Sequence, residues 1–273
     1  AQMQPGDLIV SVDGVPATKD NYTELVASFR GSAGTKVLLA YRRDTEELTV
    51  ELTRREIDIP TITTTMLDNI AYLRFSDISN NTSAHLDAAI RQANQERAQA
   101  LVFDIRGLAS DNMEIIGDML DTLVGKMTII YAQDQQGELQ ELMESDDAQV
   151  ELPMVVLADN TTSGTWELFA QVLRDTGKAR TVGETTAGKG TRQSFYKLKN
   201  GAAVYLTVAR YAGPSRETYD QVGVPADYEI HYSADMDKFL TMGDLEYDNQ
   251  LRKALEIAST AVKTETANAQ ANG

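Results

Sequence analysis

Apolar and polar positions along this chain follow two periods, and they break it into a small leading module and a larger layered one. Residues 7–14 alternate as a short strand, with Leu8, Val10 and Val12 set against Ile9, and end in the turn pair Asp13-Gly14. Tyr22, Leu25, Val26 and Phe29 then recur at helical spacing, and Gly31 closes that helix. Strands over Lys36–Arg42 and Glu47–Thr53, joined by a charged turn at Arg43-Asp44, complete a compact unit, with Arg54 to Pro60 as its linker. Beyond it, Ile70–Phe75 reads as a strand, and Ser79-Asn-Asn-Thr82 caps a helix to roughly Gln99. Ala100–Ile105, an apolar run that ends in Asp104-Ile-Arg106, and the apolar run Pro153–Ala158 are of the kind found in buried parallel strands. Helices are expected over Glu114–Val124, Glu167–Thr176 and Asn249–Val262, and strands over Met127–Ala132 and Thr181–Gly183. Phe195–Lys199 and Ala202–Arg210 form a hairpin around Asn200-Gly201. Gln133–Val150 is expected to be a solvated excursion and Lys263–Gly273 a disordered polar tail. Strands alternating with helices predict a layered α/β core.

Composition narrows the chemistry. The 273 residues hold no cysteine, which removes a thiol nucleophile, disulfides and cysteine-ligated metal. Two histidines, His85 and His231, leave little room for a histidine-based triad or metal site, and both are expected at solvated positions. A net charge of −16 argues against nucleic acid or an anionic membrane as a main partner. No apolar stretch is long enough to span a bilayer. The chain opens abruptly at Pro5-Gly-Asp, so the first half of its leading module is expected to lie before residue 1.

The segment Glu184-Thr-Thr-Ala-Gly-Lys-Gly-Thr-Arg-Gln193 carries the most specific signal. Gly188 and Gly190 permit a tight turn and a close approach, and a lysine pressed into a packed site becomes a usable base. An exposed glycine turn bearing a solvated lysine explains the same ten residues. A phosphate-cradling loop fits poorly, because Gly190 separates the lysine from Thr191.

Taken in order, the pieces resemble the C-terminal processing (tail-specific) serine peptidases. Gln4-Pro-Gly-Asp-Leu-Ile-Val-Ser-Val-Asp-Gly14, Gly34-Thr-Lys-Val37 and Leu48–Arg54 look like strands of that family's PDZ domain. Ile70–Phe75, Leu101–Arg106, Val182–Gln193, Thr207–Tyr211 with Pro214-Ser215, and Gly223–Asp227 look like its peptidase core. The resemblance implies an α/β fold: a partial PDZ-like domain over residues 1–55, a ClpP/crotonase-like layered peptidase core over 56–232, and a C-terminal helix and tail over 233–273. It further implies a Ser/Lys dyad, with Lys189 as general base and Gln193 as its orienter. Protein or peptide substrates are implied, engaged through their C-terminal tails, in an extracytoplasmic setting. No metal, organic cofactor or nucleic acid is expected, and homo-oligomerisation stays open.

Two departures qualify that expectation. Ungapped alignment on Pro153–Leu157 and Glu167–Phe169 puts Gly164 at the family's nucleophile position, with Ser163 one residue early and Thr165 one late. Trp166 falls where a small residue is expected. After Asp104-Ile-Arg106 the family's Asn-Pro-Gly-Gly oxyanion loop is replaced by Gly107-Leu-Ala-Ser-Asp111, leaving Gly107 and Thr165 as the oxyanion candidates. Losing one oxyanion donor costs about 10²–10³ in rate, and losing the nucleophile costs on the order of 10⁶. The expectation is therefore an impaired peptidase. The alternatives are an endopeptidase using displaced Ser163, or a peptide-binding pseudoprotease scaffold.

Overall fold

The computed structural model describes residues 3–233 and 242–272. They form two compact units, Ala1–Ile59 and Pro60–Gly273.

In the first unit, β1 (Leu8–Val12), β2 (Val15–Pro16), α1 (Tyr22–Phe29), β3 (Lys36–Arg43) and β4 (Glu46–Thr53) build a four-stranded antiparallel sheet in the order β2-β1-β3-β4. The alternation that marks β1 and β3 turns Val12, Val37 and Leu39 inward against Leu25 of the helix. Arg54 closes the end of α1 by donating to the carbonyls of Ser28 and Phe29. Those helix-end carbonyls have no partner within the helix itself.

The second unit contains β5 (Ile62–Leu67), β6 (Ile70–Phe75), α2 (Thr82–Gln95), β7 (Ala100–Asp104), β8 (Ala109–Ser110) and α3 (Met113–Leu123). It continues through β9 (Thr128–Gln133), β10 (Leu139–Glu144), β11 (Met154–Ala158), β12 (Ser163–Gly164), α4 (Thr165–Asp175) and β13 (Ala179–Gly183). The last elements are β14 (Thr191–Lys197), β15 (Ala203–Ala212), β16 (Tyr228–Glu229) and α5 (Asn249–Asn272). Its main sheet runs β16-β13-β11-β7-β6-β5, parallel except at the β5/β6 hairpin. Both faces are covered, which is why β7 up to Phe103 and all of β11 are apolar. On one face, Phe103, Val156 and Leu101 pack with the inward sides of α2, α3 and α4. On the other, Val102, Val155 and Leu157 meet Leu251, Ala254 and Ala258 of α5.

Three expectations are corrected. The acidic 133–150 excursion contains β10, paired antiparallel with β9, because Leu139, Leu142 and Met143 give it a side to bury. Helix α5 continues through the expected tail to Asn272, where Ala267, Ala269 and Ala271 with Lys263, Glu265 and Gln270 outnumber the weaker helix formers Thr and Asn. His85 is partly buried rather than solvated, and its Nδ1 accepts from the Thr61 backbone N–H at 3.2 Å. Residues 234–241 and 273, part of the expected C-terminal segment, lie outside the described residues.

A buried guanidinium fastens α5 to the sheet. Arg106 grips Asp104 through Nε (2.8 Å) and Nη2 (2.6 Å), and Asp248 through Nη1 (3.0 Å) and Nη2 (2.7 Å). Gln250 Oε1 accepts a further bond at 2.9 Å, and the Tyr72 hydroxyl donates to Asp104 at 2.6 Å. Burial alone would raise the Asp248 pKa, but the bond and charge of Arg106 bring it below its ordinary value. Burial, then the neighbouring Asp104 charge, push Tyr72 far upward.

Candidate active site

The loop after β11 folds back on Asp159, whose Oδ1 accepts the N–H groups of Thr161 and Thr162 and the Thr161 hydroxyl. That turn delivers Ser163 and Gly164 to a short parallel bridge, Ser163 opposite Ala109 and Gly164 opposite Ser110. Gly164 is the N-cap of α4, with φ +72° and ψ −131°. Such backbone is costly for any residue with a side chain. Space forbids one as well: a Cβ here would lie 2.0 Å from the Ser110 carbonyl oxygen and 3.4 Å from Asp111 Oδ1. The Thr165 hydroxyl holds that same carbonyl at 3.1 Å. The volume that a side chain at position 164 would occupy is filled by the backbone of the 107–111 loop.

Glu167 organises the site, and its role was not legible in the sequence. Its side chain is fully buried, and its carboxylate accepts from the backbone N–H of Gly164 (3.0 Å), Gly188 (2.6 Å) and Lys189 (2.8 Å), and from the Thr186 hydroxyl. One carboxylate thus ties the elbow at the start of α4 to the lysine loop. The signal for it was present as an acid three residues after an N-cap, the spacing of a capping box. Tyr219, also buried, donates to the Gly164 carbonyl at 3.0 Å. Burial, then the charge on Glu167, raise its pKa well above the ordinary value.

The lysine loop is packed through its backbone and open through its side chain. A Cβ on Gly188 (φ +76°) would come within 3.0 Å of the backbone nitrogens of Val222 and Gly223, so the turn does require glycine there. Lys189 and Gln193 are both exposed. The glycines on either side of Lys189 are buried, and Lys189 itself lines a cavity of about 620 Å³. Ser163, Gly164, Lys189 and Gln193 all line that cavity. Among the described residues no hydrogen bond joins the Ser163 hydroxyl to Lys189, or Gln193 to Lys189. Trp166 is wholly buried, stacked edge-on against Phe75 (5.0 Å) and Phe169 (5.8 Å), so it fills the core rather than the site. The Gly107 N–H donates to Asp159 at 3.3 Å, outside the cavity lining, and the Thr165 hydroxyl is occupied by Ser110.

These features, a parallel sheet with an elbow into a helix and a lysine loop beside it, are those of an α/β peptidase core, and comparison with known proteins identifies the family. Peptidase family S41 matches residues 69–230, and a PDZ domain matches residues 1–43. The chain belongs to peptidase family S41. It is 30% identical over 234 residues to a carboxyl-terminal-processing protease of Synechocystis, covering 83% of this chain and 55% of that protein. It is 29% identical over 254 residues to a carboxy-terminal processing protease of Bacillus subtilis, covering 89% and 54%. The solved photosystem II D1 C-terminal processing protease superimposes with a TM-score of 0.59 at 26% identity, over 84% of this chain and 64% of that one. The chain thus spans about half the length of the curated relatives it matches.

Proposed function

We propose that this chain is a C-terminal processing peptidase relative whose peptide-bond cleavage is impaired and whose polypeptide-binding surfaces are kept. The observation that carries this reading is the Ser110 carbonyl, 2.0 Å from where a Cβ at position 164 would stand. The nucleophile position lacks an oxygen, and the loop beside it has closed over the gap. On this reading Lys189 and Gln193 are the inherited base and orienter, and Gly107 and Thr165 no longer serve an oxyanion. The PDZ unit takes an extended peptide C-terminus as an added strand, as such domains do. The setting is extracytoplasmic, and domain limits near residues 55 and 232 separate binding unit, core and C-terminal segment.

The test is labelling with a serine-directed fluorophosphonate together with digestion of an unfolded protein. Neither reaction is expected. A second reading, a working dyad with Ser163 as nucleophile, is favoured by one fact: Ser163 lines the same cavity as Lys189. Labelling that disappears in Ser163→Ala would establish it and overturn the first. Gly164→Ser alone is expected to stay inactive, because the new side chain meets the Ser110 carbonyl. Activity gained from that single change would show the 107–111 loop to be readily displaced.

A further inference from the structure

The β14–β15 ribbon has a surface unlike the rest of the chain. From Thr185 to Arg216 the sequence carries Lys189, Arg192, Lys197, Lys199, Arg210 and Arg216 and no acidic residue, in a protein of net charge −16. Arg210 is paired with Asp220 at 3.0 Å, and Arg216 lies over the Tyr131 ring. Arg192, Lys197 and Lys199 remain as cations on the ribbon itself.

Its bracing is slight. Strand β15 pairs with β9 only through Arg210–Ala212, so among the described residues the strands beyond that point pair only with each other. A lone two-stranded ribbon is marginally stable in water, yet this one exposes large apolar groups. Phe195, Tyr196, Leu198, Tyr205 and Leu206 are 47%, 48%, 46%, 70% and 51% exposed. The register pairs Phe195 with Tyr205 on one face, their rings 5.1 Å apart, and turns Tyr196 and Leu206 to the other. Leu198 sits in the turn between Lys197 and Lys199.

From these observations we infer that the ribbon is a membrane-docking finger, which places its tip in the interface of a lipid surface bearing anionic headgroups. A protein partner would cover one face and leave the other wet. Immersion in a lipid interface covers both faces and the tip together. Aromatic rings and leucine beside lysines match the chemistry of that layer, in which rings sit at headgroup depth and lysine stems reach back to phosphate. The acidic body does not forbid this approach. Beyond the Phe195/Tyr205 pair, whose Tyr205 still lines the cavity, residues 196–198 carry the tip roughly 10 Å further at ~3.4 Å per residue, past the ~8 Å over which physiological salt screens charge. The ribbon supplies Thr191 and Gln193 at its root, and Tyr205 from the finger itself, to the cavity lining, so docking of the tip would bring the cavity's mouth to chain segments at the membrane.

Co-sedimentation of the full chain with phosphatidylcholine vesicles, with and without phosphatidylglycerol, tests the inference. Binding is expected only when phosphatidylglycerol is present and should weaken with added salt. Lys197→Gln and Lys199→Gln should each lower affinity about fivefold, the effect of one cation near such a surface. Because Trp166 is buried, a Leu198→Trp variant gives an independent signal, and its added emission should shift to the blue on binding. Absence of vesicle binding, binding indifferent to the lysine variants, or a Leu198→Trp emission that vesicles leave unchanged would each overturn the proposal. So would capture of a soluble unfolded polypeptide by the finger without any vesicle binding.

Discussion

Two buried acidic clusters hold the second unit together, and they do so by opposite chemistry. Glu167 is surrounded by donors that carry no formal charge: three backbone N–H groups and a hydroxyl. Asp104 and Asp248 instead share one guanidinium. The first arrangement positions loops, because each bond fixes a particular point on the backbone. The second positions a helix, because the cation joins a strand end to the start of α5. Removing a partner leaves unmet dipoles in one case and unmet charges in the other, and the two failures differ in size and in pH dependence.

The largest effect is expected for Arg106→Leu. Breaking a buried pair from one side costs about 3–5 kcal/mol, and here two carboxylates would be left facing each other. At roughly 2–4 °C per kcal/mol for a chain of this size, thermal unfolding should shift down by ten degrees or so. The sign of its pH dependence separates charge from packing. Asp248 has a lowered pKa when folded, so the stability it contributes is present above its unfolded value of about 3.9 and is lost as pH falls through the folded value. In the variant, protonation relieves the repulsion, so the deficit against wild type should shrink in acid. A deficit unchanged by pH would reduce the cluster to a packing element.

Glu167→Ala should follow: an unsatisfied buried group costs about 1–3 kcal/mol, and three of its four donors belong to residues that line the open cavity, where water can take the carboxylate's place. Glu167→Gln keeps the shape but brings an NH₂ against N–H donors. Amide exchange at Gly188 and Lys189 should therefore accelerate in both variants, while amides of α5 stay protected. Equal loosening of both regions would erase the distinction between the clusters.

Gly164→Ala comes next. Strain at such backbone is about 1–3 kcal/mol, and the clash with Ser110 adds to it. Gly177→Ala is the control: its φ is +70°, but nothing lies within 4 Å of its added Cβ. The difference between the two melting shifts measures how firmly the 107–111 loop fills the space beside Gly164, and equal shifts would show that the loop yields.

The smallest effect belongs to His231, which is exposed and bonded through Nδ1 to Glu184 at 2.9 Å. That bond, then the Glu184 charge, raise its pKa. Its contribution is therefore present below about pH 6.5 and is lost as pH rises through the raised value. His231→Gln should flatten the stability profile in that window. A profile identical to wild type would mean that the pair contributes nothing.

Much of this architecture could be read along the chain. Apolar runs marked β7 and β11, because strands buried on both faces leave little room for polar positions. Helical spacing marked α1 and α3. Elements with weak periodicity escaped: β10 sits in an acidic stretch, and β8 and β12 are two-residue bridges that only a fold brings side by side. At the site, residue order placed Gly164, Ser163, Lys189 and Gln193 and suggested the mismatch at the nucleophile. The sequence left a packed and an exposed Lys189 both open, and the hub at Glu167 was hidden, because burial and hydrogen-bond convergence arise between segments far apart in sequence.

By itself, the sequence determined the family, the alternation of strands and helices, and the absence of a serine at position 164, since each is a matter of residue type and order. Only the tertiary structure decided that the space beside Gly164 is filled by the Ser110 carbonyl, that one carboxylate ties elbow to lysine loop, and that a basic, aromatic ribbon runs on past its pairing with β9. Those are questions of which atoms share a small volume, and packing of distant segments settles them.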